Sequence, residues 1–214
     1  MRTLTLFDKL INEVDQALRT VHTMAPTTER PNPAANIHSE LELSESEKKY
    51  SGRLMRINHA GEVSAQGLYR GQALTAKRED IREQMERSAM EENDHLNWCE
   101  TRLNELGEHK SFFGPLWYMG SFSIGAVAGL VGDQWSLGFV KETEDQVVKH
   151  LDEHLQKISP NDTASLAILE QMKIDEAHHA DVAVESGAAK LPHPIRKIFM
   201  PLMSKVMTTV SARI

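Results

Sequence analysis

Two Glu-x-x-His motifs constrain the fold of this chain more than any other feature. The first spans Glu92–His95 and the second spans Glu176–His179, 84 residues later. In an α-helix, side chains three residues apart lie on the same face, so each motif presents a carboxylate beside an imidazole. One such motif is common on a hydrated helix surface. Two motifs on separate helices of one chain indicate a shared site.

Apolar residues recur every three or four positions around these motifs, and no alternating strand pattern occurs. Ser44 and Glu47 form a capping box at the start of the second helix, and the SPND sequence at 159–162 supplies a turn and a helix cap. The sequence therefore predicts an all-α fold, an antiparallel four-helix bundle with additional N- and C-terminal helices. The helices are expected at about residues 1–22, 44–77, 80–106, 121–157, 163–186 and 195–211.

The 214 residues suit one domain with short arms. We expect an N-terminal amphipathic helix at 1–24, a proline-containing linker at 25–43 and the main domain at 44–214. A formal charge of −7 argues against a strongly basic nucleic-acid surface. Cys99 is the single cysteine, which excludes an intrachain disulfide and a cysteine zinc site. The first twenty residues lack the continuous apolar core of a secretory signal.

The other two core helices are expected to supply one carboxylate each. Glu62 lies among small and apolar residues, which is unusual for a solvent-exposed acid. In the third core helix the candidates are Glu142, Glu144 and Asp145. Glu144 precedes the second motif by 32 residues, close to the 30 residues that separate Glu62 from the first motif. Four carboxylates and two imidazoles match the di-iron pattern of helix bundles, whereas a set of solvated surface acids is the alternative.

Three further residues are candidates for supporting the ligands. A histidine that binds a metal usually donates its other N–H group to a carboxylate. Glu91 and Asp175 each precede the glutamate of a motif, so each can reach the histidine of the opposite motif. His150 lies nearly two turns after Glu144 and can face the site, although a surface position is equally compatible with the sequence.

Four segments resemble demethoxyubiquinone hydroxylases, the Coq7-type family of ubiquinone biosynthesis: NHAGEVSAQGLYRGQ, MEENDHLNW, ETEDQVVKHLDEHL and MKIDEAHHADVA. The resemblance covers about residues 50–214 and implies a ferritin-like fold that binds two Fe ions, as Fe2+ when reduced. It implies an O2-dependent monooxygenase that hydroxylates the ring of a polyprenyl demethoxyubiquinone or its quinol. The iron ligands that it implies are Glu62, Glu92, His95, Glu144, Glu176 and His179.

Two segments of the chain suit a lipid surface. Residues 111–132 carry no charge, but a transmembrane span is disfavoured because the same predicted helix must bring Glu144 into the bundle core. Residues 186–214 contain no acid and combine basic with apolar residues, as in a membrane-surface helix. The alternative for either segment is packing on the bundle or on a subunit partner. With the resemblance, they predict a peripheral protein on the cytoplasmic face of a bacterial-type inner membrane.

The expected partners are the quinone, O2, a membrane surface and an electron donor, with a second copy of the chain as a further candidate. The sequence has no G-x-G-x-x-G fingerprint of a built-in dinucleotide domain, so the electrons can come from NADH at the surface, from a reductase or from a reduced quinol. Rival functions are ferritin-type iron storage, hydroxylation of another substrate such as a modified tRNA base, and a metal-free helical scaffold. The apolar segment and basic tail argue against storage, and the acidic charge argues against a nucleic-acid substrate.

Overall fold

The computed structural model describes residues 5–37 and 42–214. Residues 1–4 of the predicted N-terminal helix and 38–41 of the predicted linker lie outside the described residues, and the division of the chain into these three segments stays a prediction. Within the described ranges the chain forms α-helices and no strand. The helices are α1 (Leu6–His22), α2 (Glu45–Thr75), α3 (Glu79–Glu105), α4 (Gly114–Val131), α5 (Asp133–Leu155), α6 (Thr163–Glu185) and α7 (Met200–Ser211), with a π-helical turn at Ile195–Phe199 before α7.

Four of these helices form the bundle, in which α2 pairs with α3 and α5 pairs with α6. Short connections make each pair an antiparallel hairpin. One apolar cluster, around Trp98 and Met172, fills one end of the bundle, and a second, around Met85 and Leu137, fills the other. The predicted all-α, ferritin-like bundle is therefore confirmed, and the middle of the bundle is left for polar residues.

Side-chain caps fix where several helices begin. The Ser44 hydroxyl accepts the backbone N–H of Glu47 at 3.3 Å, and the Glu47 carboxylate accepts that of Ser44 at 2.8 Å. At the start of α6, Asp162 accepts the backbone N–H of Ser165 at 3.1 Å. Each such cap typically contributes about 1 kcal/mol. These caps therefore fix the first residues of α2 and α6, the two helices that carry half of the candidate ligands.

The single helix predicted at residues 121–157 is wrong. The chain forms α4 and α5 instead, separated at Gly132, whose φ of 154° is one that side-chain-bearing residues rarely adopt. The predicted start of this helix at residue 121 is also wrong, because α4 already begins at Gly114. Pro115 stands in the first turn of α4, where a proline is tolerated since no N–H group is needed there.

Helix α4 packs lengthwise on α2 through a seam of glycines. A Cβ atom at Gly71 would overlap the carbonyl oxygen of Phe122, and one at Gly125 would overlap that of Leu68. Glycine lets the two backbones approach this closely. Among the described helices, α4 has the length and hydropathy to cross a membrane. In this fold it forms an extra layer against the bundle with an exposed apolar outer face.

Candidate metal centre

The two Glu-x-x-His motifs meet halfway along the bundle, where all four side chains are buried. Within the motifs, Nδ1 of His95 lies 2.9 Å from Oε2 of Glu92, and Nδ1 of His179 lies 3.1 Å from Oε2 of Glu176. Between the motifs, Nδ1 of His95 lies 3.0 Å from Oε1 of Glu176. In the same way, Nδ1 of His179 lies 3.3 Å from Oε1 of Glu92. Each imidazole therefore faces carboxylates from both helices.

Glu62 reaches the same place from α2. Its Oε2 lies 3.9 Å from Nδ1 of His95, and its side chain is buried. Glu62, Glu92, His95 and Glu176 each offer a ligand atom within 4.8 Å of the others. Such a group of three carboxylates and one imidazole can hold a metal ion.

Glu144 approaches from α5 and is held by a tyrosine. Its Oε1 accepts a 2.7 Å hydrogen bond from the hydroxyl of Tyr69, which stands seven residues after Glu62 on α2. Burial, together with the negative charges of Glu176 and Glu92, raises the pKa of Glu144 well above its ordinary value. Glu144 thus lies within electrostatic reach of the other acids, although it stands outside the tight group of four.

The two other acids that the sequence offered on α5 lie elsewhere. Oε1 of Glu142 is 3.4 Å from Nη1 of Arg196, and Asp145 forms an ion pair with Lys141 at the surface. The geometry therefore favours Glu144 as the contribution of this helix.

Glu91 and Asp175 contact the outer nitrogens of the two histidines. Oδ2 of Asp175 lies 3.0 Å from Nε2 of His95, and Oε2 of Glu91 lies 2.8 Å from Nε2 of His179. The hydrogen bond from His179 lowers the pKa of Glu91. Burial opposes the charge of Asp175, but hydrogen bonds from His95 and Arg30 outweigh it and lower its pKa. Ionised carboxylates only accept hydrogen bonds, so both Nε2 atoms carry protons.

This arrangement fits a cation. When the proton of a neutral imidazole is on Nε2, its Nδ1 atom carries a lone pair. That lone pair faces carboxylate oxygens, which also carry only lone pairs, so no hydrogen bond can form between them. Oε1 of Glu92 and Oε1 of Glu176 are buried and, although each lies close to an Nδ1 atom, neither has a hydrogen bond of acceptable geometry among the described residues. A metal ion could be held here by the carboxylates of Glu62, Glu92 and Glu176 together with the imidazole of His95. A set of carboxylate oxygens and imidazole nitrogens suits iron or manganese.

In the protein without metal, protons must replace the cation. Burial and the charge of Glu92 raise the pKa of Glu62 well above its ordinary value. Burial disfavours the charged form of His95, but Glu92 and the neighbouring carboxylates outweigh this effect and raise its pKa. Both pKa shifts show that positive charge, from protons or from a cation, stabilises the clustered carboxylates of this centre.

An apolar cavity of about 350 Å³ extends from the centre towards α4 and α7. Glu62 and Glu144 form part of its wall, together with apolar residues such as Ile124 and Met207. His150 also lines this cavity, and its Nε2 lies 3.0 Å from the hydroxyl of Ser204 on α7. His150 therefore faces the cavity that borders the centre, and its described hydrogen bond ties it to α7. Its role in supporting the ligands stays a prediction.

Exposed apolar residues cover the outer faces of the three helices that surround the bundle on this side. Helix α1 contacts both α2 and α4, and α7 contacts α2. We call these residues the apolar face. They are Phe7, Ile11, Val14 and Leu18 on α1, Leu116, Met119, Val127 and Leu130 on α4, Ile198 in the π-helical turn, and Leu202 and Val206 on α7.

Sequence reasoning missed three polar residues beside the histidines. Asp94 lies inside the first motif but is buried, with its carboxylate directed at the segment before α2. Arg30 belongs to that segment, which the sequence presented as a linker, and Arg87 lies on α3 one turn before Glu91. An aspartate between two candidate ligands was the only signal available in the sequence, because contacts across 65 residues leave no local pattern.

Comparison with known proteins shows which family this chain is similar to. The model of the family described as ubiquinone biosynthesis protein COQ7 matches residues 49–211. A protein named 3-demethoxyubiquinol 3-hydroxylase from Nitrosococcus oceani is 58% identical over 207 residues, 97% of this chain and 96% of its own length. A protein of the same name from Ectopseudomonas mendocina is 53% identical over 97% of this chain and 95% of its own length. Another from Legionella pneumophila is 52% identical over 99% of this chain and 99% of its own length.

Proposed function

This chain belongs to the COQ7 family of ubiquinone biosynthesis proteins, and we propose that it hydroxylates 3-demethoxyubiquinol as an O2-dependent di-iron enzyme. One observation carries the proposal: two buried Glu-x-x-His motifs converge with Glu62 in the middle of the bundle. They do so in a chain that matches relatives named 3-demethoxyubiquinol 3-hydroxylase over nearly its whole length.

Six side chains would hold two Fe ions, with one carboxylate and one Glu-x-x-His motif from each half of the bundle. When bound, the iron pair supplies the redox chemistry that activates O2. The excess of buried carboxylates and the two buried oxygens without partners support this assignment. The ligands would be Glu62, Glu92, His95, Glu144, Glu176 and His179.

The remaining residues of the centre orient these ligands and exclude water. Asp175 and Glu91 hold the Nε2 protons, so the Nδ1 atoms of both histidines stay available to the metal. The hydroxyl of Tyr69 fixes one oxygen of Glu144. The apolar clusters at both ends of the bundle keep bulk water away, which strengthens every electrostatic interaction inside.

The apolar cavity offers a route for the quinol ring. Its wall joins the carboxylates of the centre to Leu116 and Met203, which belong to the helices that carry the apolar face. A ring could therefore reach the centre from a lipid surface while its polyprenyl tail remains in lipid. Lys197 and Lys205 beside the apolar face would contact anionic headgroups. We accordingly place the enzyme peripherally on the cytoplasmic face of a bacterial-type inner membrane.

The reaction needs two electrons besides the substrate. One oxygen atom of O2 enters the ring as a hydroxyl group, and the other leaves as water after taking up two electrons and two protons. The chain carries no dinucleotide-binding fingerprint, so these electrons would come from outside the chain: from NADH at the surface, a separate reductase or a reduced quinol.

Quinone extraction from cells tests the substrate. Cells that lack this protein should accumulate the demethoxy precursor, and the wild-type chain should restore ubiquinone. Glu176→Gln should fail to restore it, whereas Glu170→Gln, an exposed acid on the same helix, should succeed. A normal quinone profile in the deletion strain would remove the proposal.

A further inference from the structure

The segment between α1 and α2 is fixed across the outer side of the metal centre. Three consecutive backbone N–H groups, those of residues 28–30, donate to the buried Asp94 carboxylate at 2.6, 3.3 and 3.2 Å. The side-chain amide of Asn97 donates to the carbonyl of Ala25 at 2.7 Å. We call residues 25–30 the strap. Since Asp94 lies next to the ligands on α3, the strap is fixed beside them.

Arg30 of the strap reaches the first histidine. Its Nη1 lies 2.6 Å from Oδ2 of Asp175, the same oxygen that accepts the Nε2 proton of His95. Its Nη2 lies 3.4 Å from Nε2 of His95. The guanidinium group also lies over the ring of Trp98 at 5.3 Å, and that ring packs against His95 at 5.2 Å. Arg30 therefore contacts both side chains that flank the His95 imidazole, the Asp175 carboxylate and the Trp98 ring.

Glu29 of the strap reaches the second histidine through an arginine. Its Oε1 accepts a 2.7 Å hydrogen bond from Nη1 of Arg87, whose Nε donates to Glu91 at 2.7 Å. Glu91 in turn accepts the Nε2 proton of His179. Two adjacent strap residues are thus connected to the outer nitrogens of both histidines.

We propose that the strap positions both histidines for metal binding, with Arg30 as its main positioning residue and Glu29 acting through Arg87. The inference rests on the proposed metal centre and extends it to a segment that precedes the family match at residues 49–211. Arg30 is the stronger contact because it is two-thirds buried, whereas the pair of Glu29 and Arg87 is about half exposed.

Arg30 also affects the charge near the metal. A guanidinium next to Asp175 withdraws negative charge from the hydrogen bond to His95, so it disfavours the more positive, oxidised metal. Removing this charge should therefore lower the reduction potential of the iron pair. A role confined to packing would not require this shift.

The test uses the full-length, iron-loaded protein and the variants Arg30→Gln, Arg30→Lys and Glu29→Gln. Arg19→Gln is the matched control, because Arg19 forms an exposed ion pair with Asp15 on α1. We measure the rate at which a ferrous chelator removes Fe(II) and the midpoint potential of the iron pair. Arg30→Gln should lose iron about tenfold faster and show a lower potential. Arg30→Lys should recover most of both properties, Glu29→Gln should show a smaller effect, and Arg19→Gln should match wild type.

Two results would overturn the proposal. One is an Arg30→Gln protein that retains iron and potential like wild type. The other is equally fast iron loss from Arg30→Gln and Arg30→Lys at an unchanged potential, because the side chain would then act through packing alone. A wild-type protein that takes up no iron would instead refute the metal centre itself, and this is established before any strap variant is compared.

Discussion

The hydroxyl of Tyr69 on α2 donates a 2.7 Å hydrogen bond to Oε1 of Glu144 on α5, joining the two halves of the bundle at the metal centre. Burial and the charge of Glu144 raise the pKa of Tyr69 well above its ordinary value, so the phenol remains a donor at neutral pH. Tyr69 is fully buried, and its ring meets that of His179 edge-on at 6.3 Å. It therefore fixes one candidate ligand and packs against another.

Tyr69→Phe keeps this packing and removes the hydrogen bond. We expect hydroxylation to fall about tenfold, because a free carboxylate oxygen can rotate away from its ligating position. The measurement is turnover at full iron loading, with Tyr50→Phe as a control at a partly exposed tyrosine far along the same helix. Unchanged turnover in Tyr69→Phe would show that Glu144 needs no anchor.

Adjacent histidines on α6 provide a matched pair for testing the ligands. His179 is buried among carboxylates, whereas its neighbour His178 is exposed. His179→Ala should lower iron binding and reduce hydroxylation at least about 100-fold, because it removes a ligand and leaves buried carboxylates without positive charge. His178→Ala should retain both properties. Metal analysis together with turnover checks the pair, and full iron content in His179→Ala would contradict the ligand set.

The sequence predicted the parts of the site that depend on local geometry. Helical spacing alone places Glu92 beside His95, and the capping box at Ser44 marks the true start of α2. Hairpin connections then bring Glu62 opposite the first motif. These features need only the helical repeat and short loops, which is why a single sequence contained them.

The features that were missed depend on backbone conformation or on distant contacts. The break at Gly132 requires an unusual φ within an otherwise helical pattern, and the glycine seam of α4 became visible only with α2 beside it. The strap appeared as a linker because its prolines are typical of one. Its three N–H groups donate to Asp94, which lies 64 to 66 residues away in the sequence, so no local pattern reveals this contact.

A buried histidine makes the metal-free fold sensitive to acid. Burial, reinforced by His150 and Lys157, lowers the pKa of His154 to about 4 from an ordinary 6.5. The unfolded chain therefore binds a proton between these pH values that the folded chain does not, and stability is lost as the pH falls from about 6.5 to 4. The loss from this group is at most roughly 3 kcal/mol.

His154→Gln should reduce this pH dependence, since its amide can still contact Asn58 but cannot titrate. Urea unfolding of the metal-free protein at pH 7.5 and pH 5 measures the difference between wild type and variant. His178→Gln, at the exposed histidine, should keep the dependence of the wild type. An equal slope in wild type and His154→Gln would show that other groups cause the acid sensitivity.

Two isoleucines of equal exposure can test whether the apolar face contacts lipid. Ile198 before α7 is 62% exposed and Ile174 on α6 is 63% exposed, but only Ile198 belongs to the apolar face. Ile198→Glu should weaken binding to anionic lipid vesicles about tenfold, because it exchanges buried apolar area for a negative charge. Ile174→Glu should bind like wild type. Equal binding by both variants would place the lipid contact elsewhere.

Two glycines of α4 should respond in opposite directions to the same substitution. At Gly125 an added Cβ would overlap the carbonyl oxygen of Leu68, so Gly125→Ala must separate α4 from α2. We expect it to lower the free energy of unfolding by about 1–3 kcal/mol. Gly120 has no atom within 4 Å of such a Cβ, so Gly120→Ala should add up to about 1 kcal/mol through helix propensity. Denaturant unfolding of both variants measures the pair, and equal stability would mean that the seam tolerates side chains.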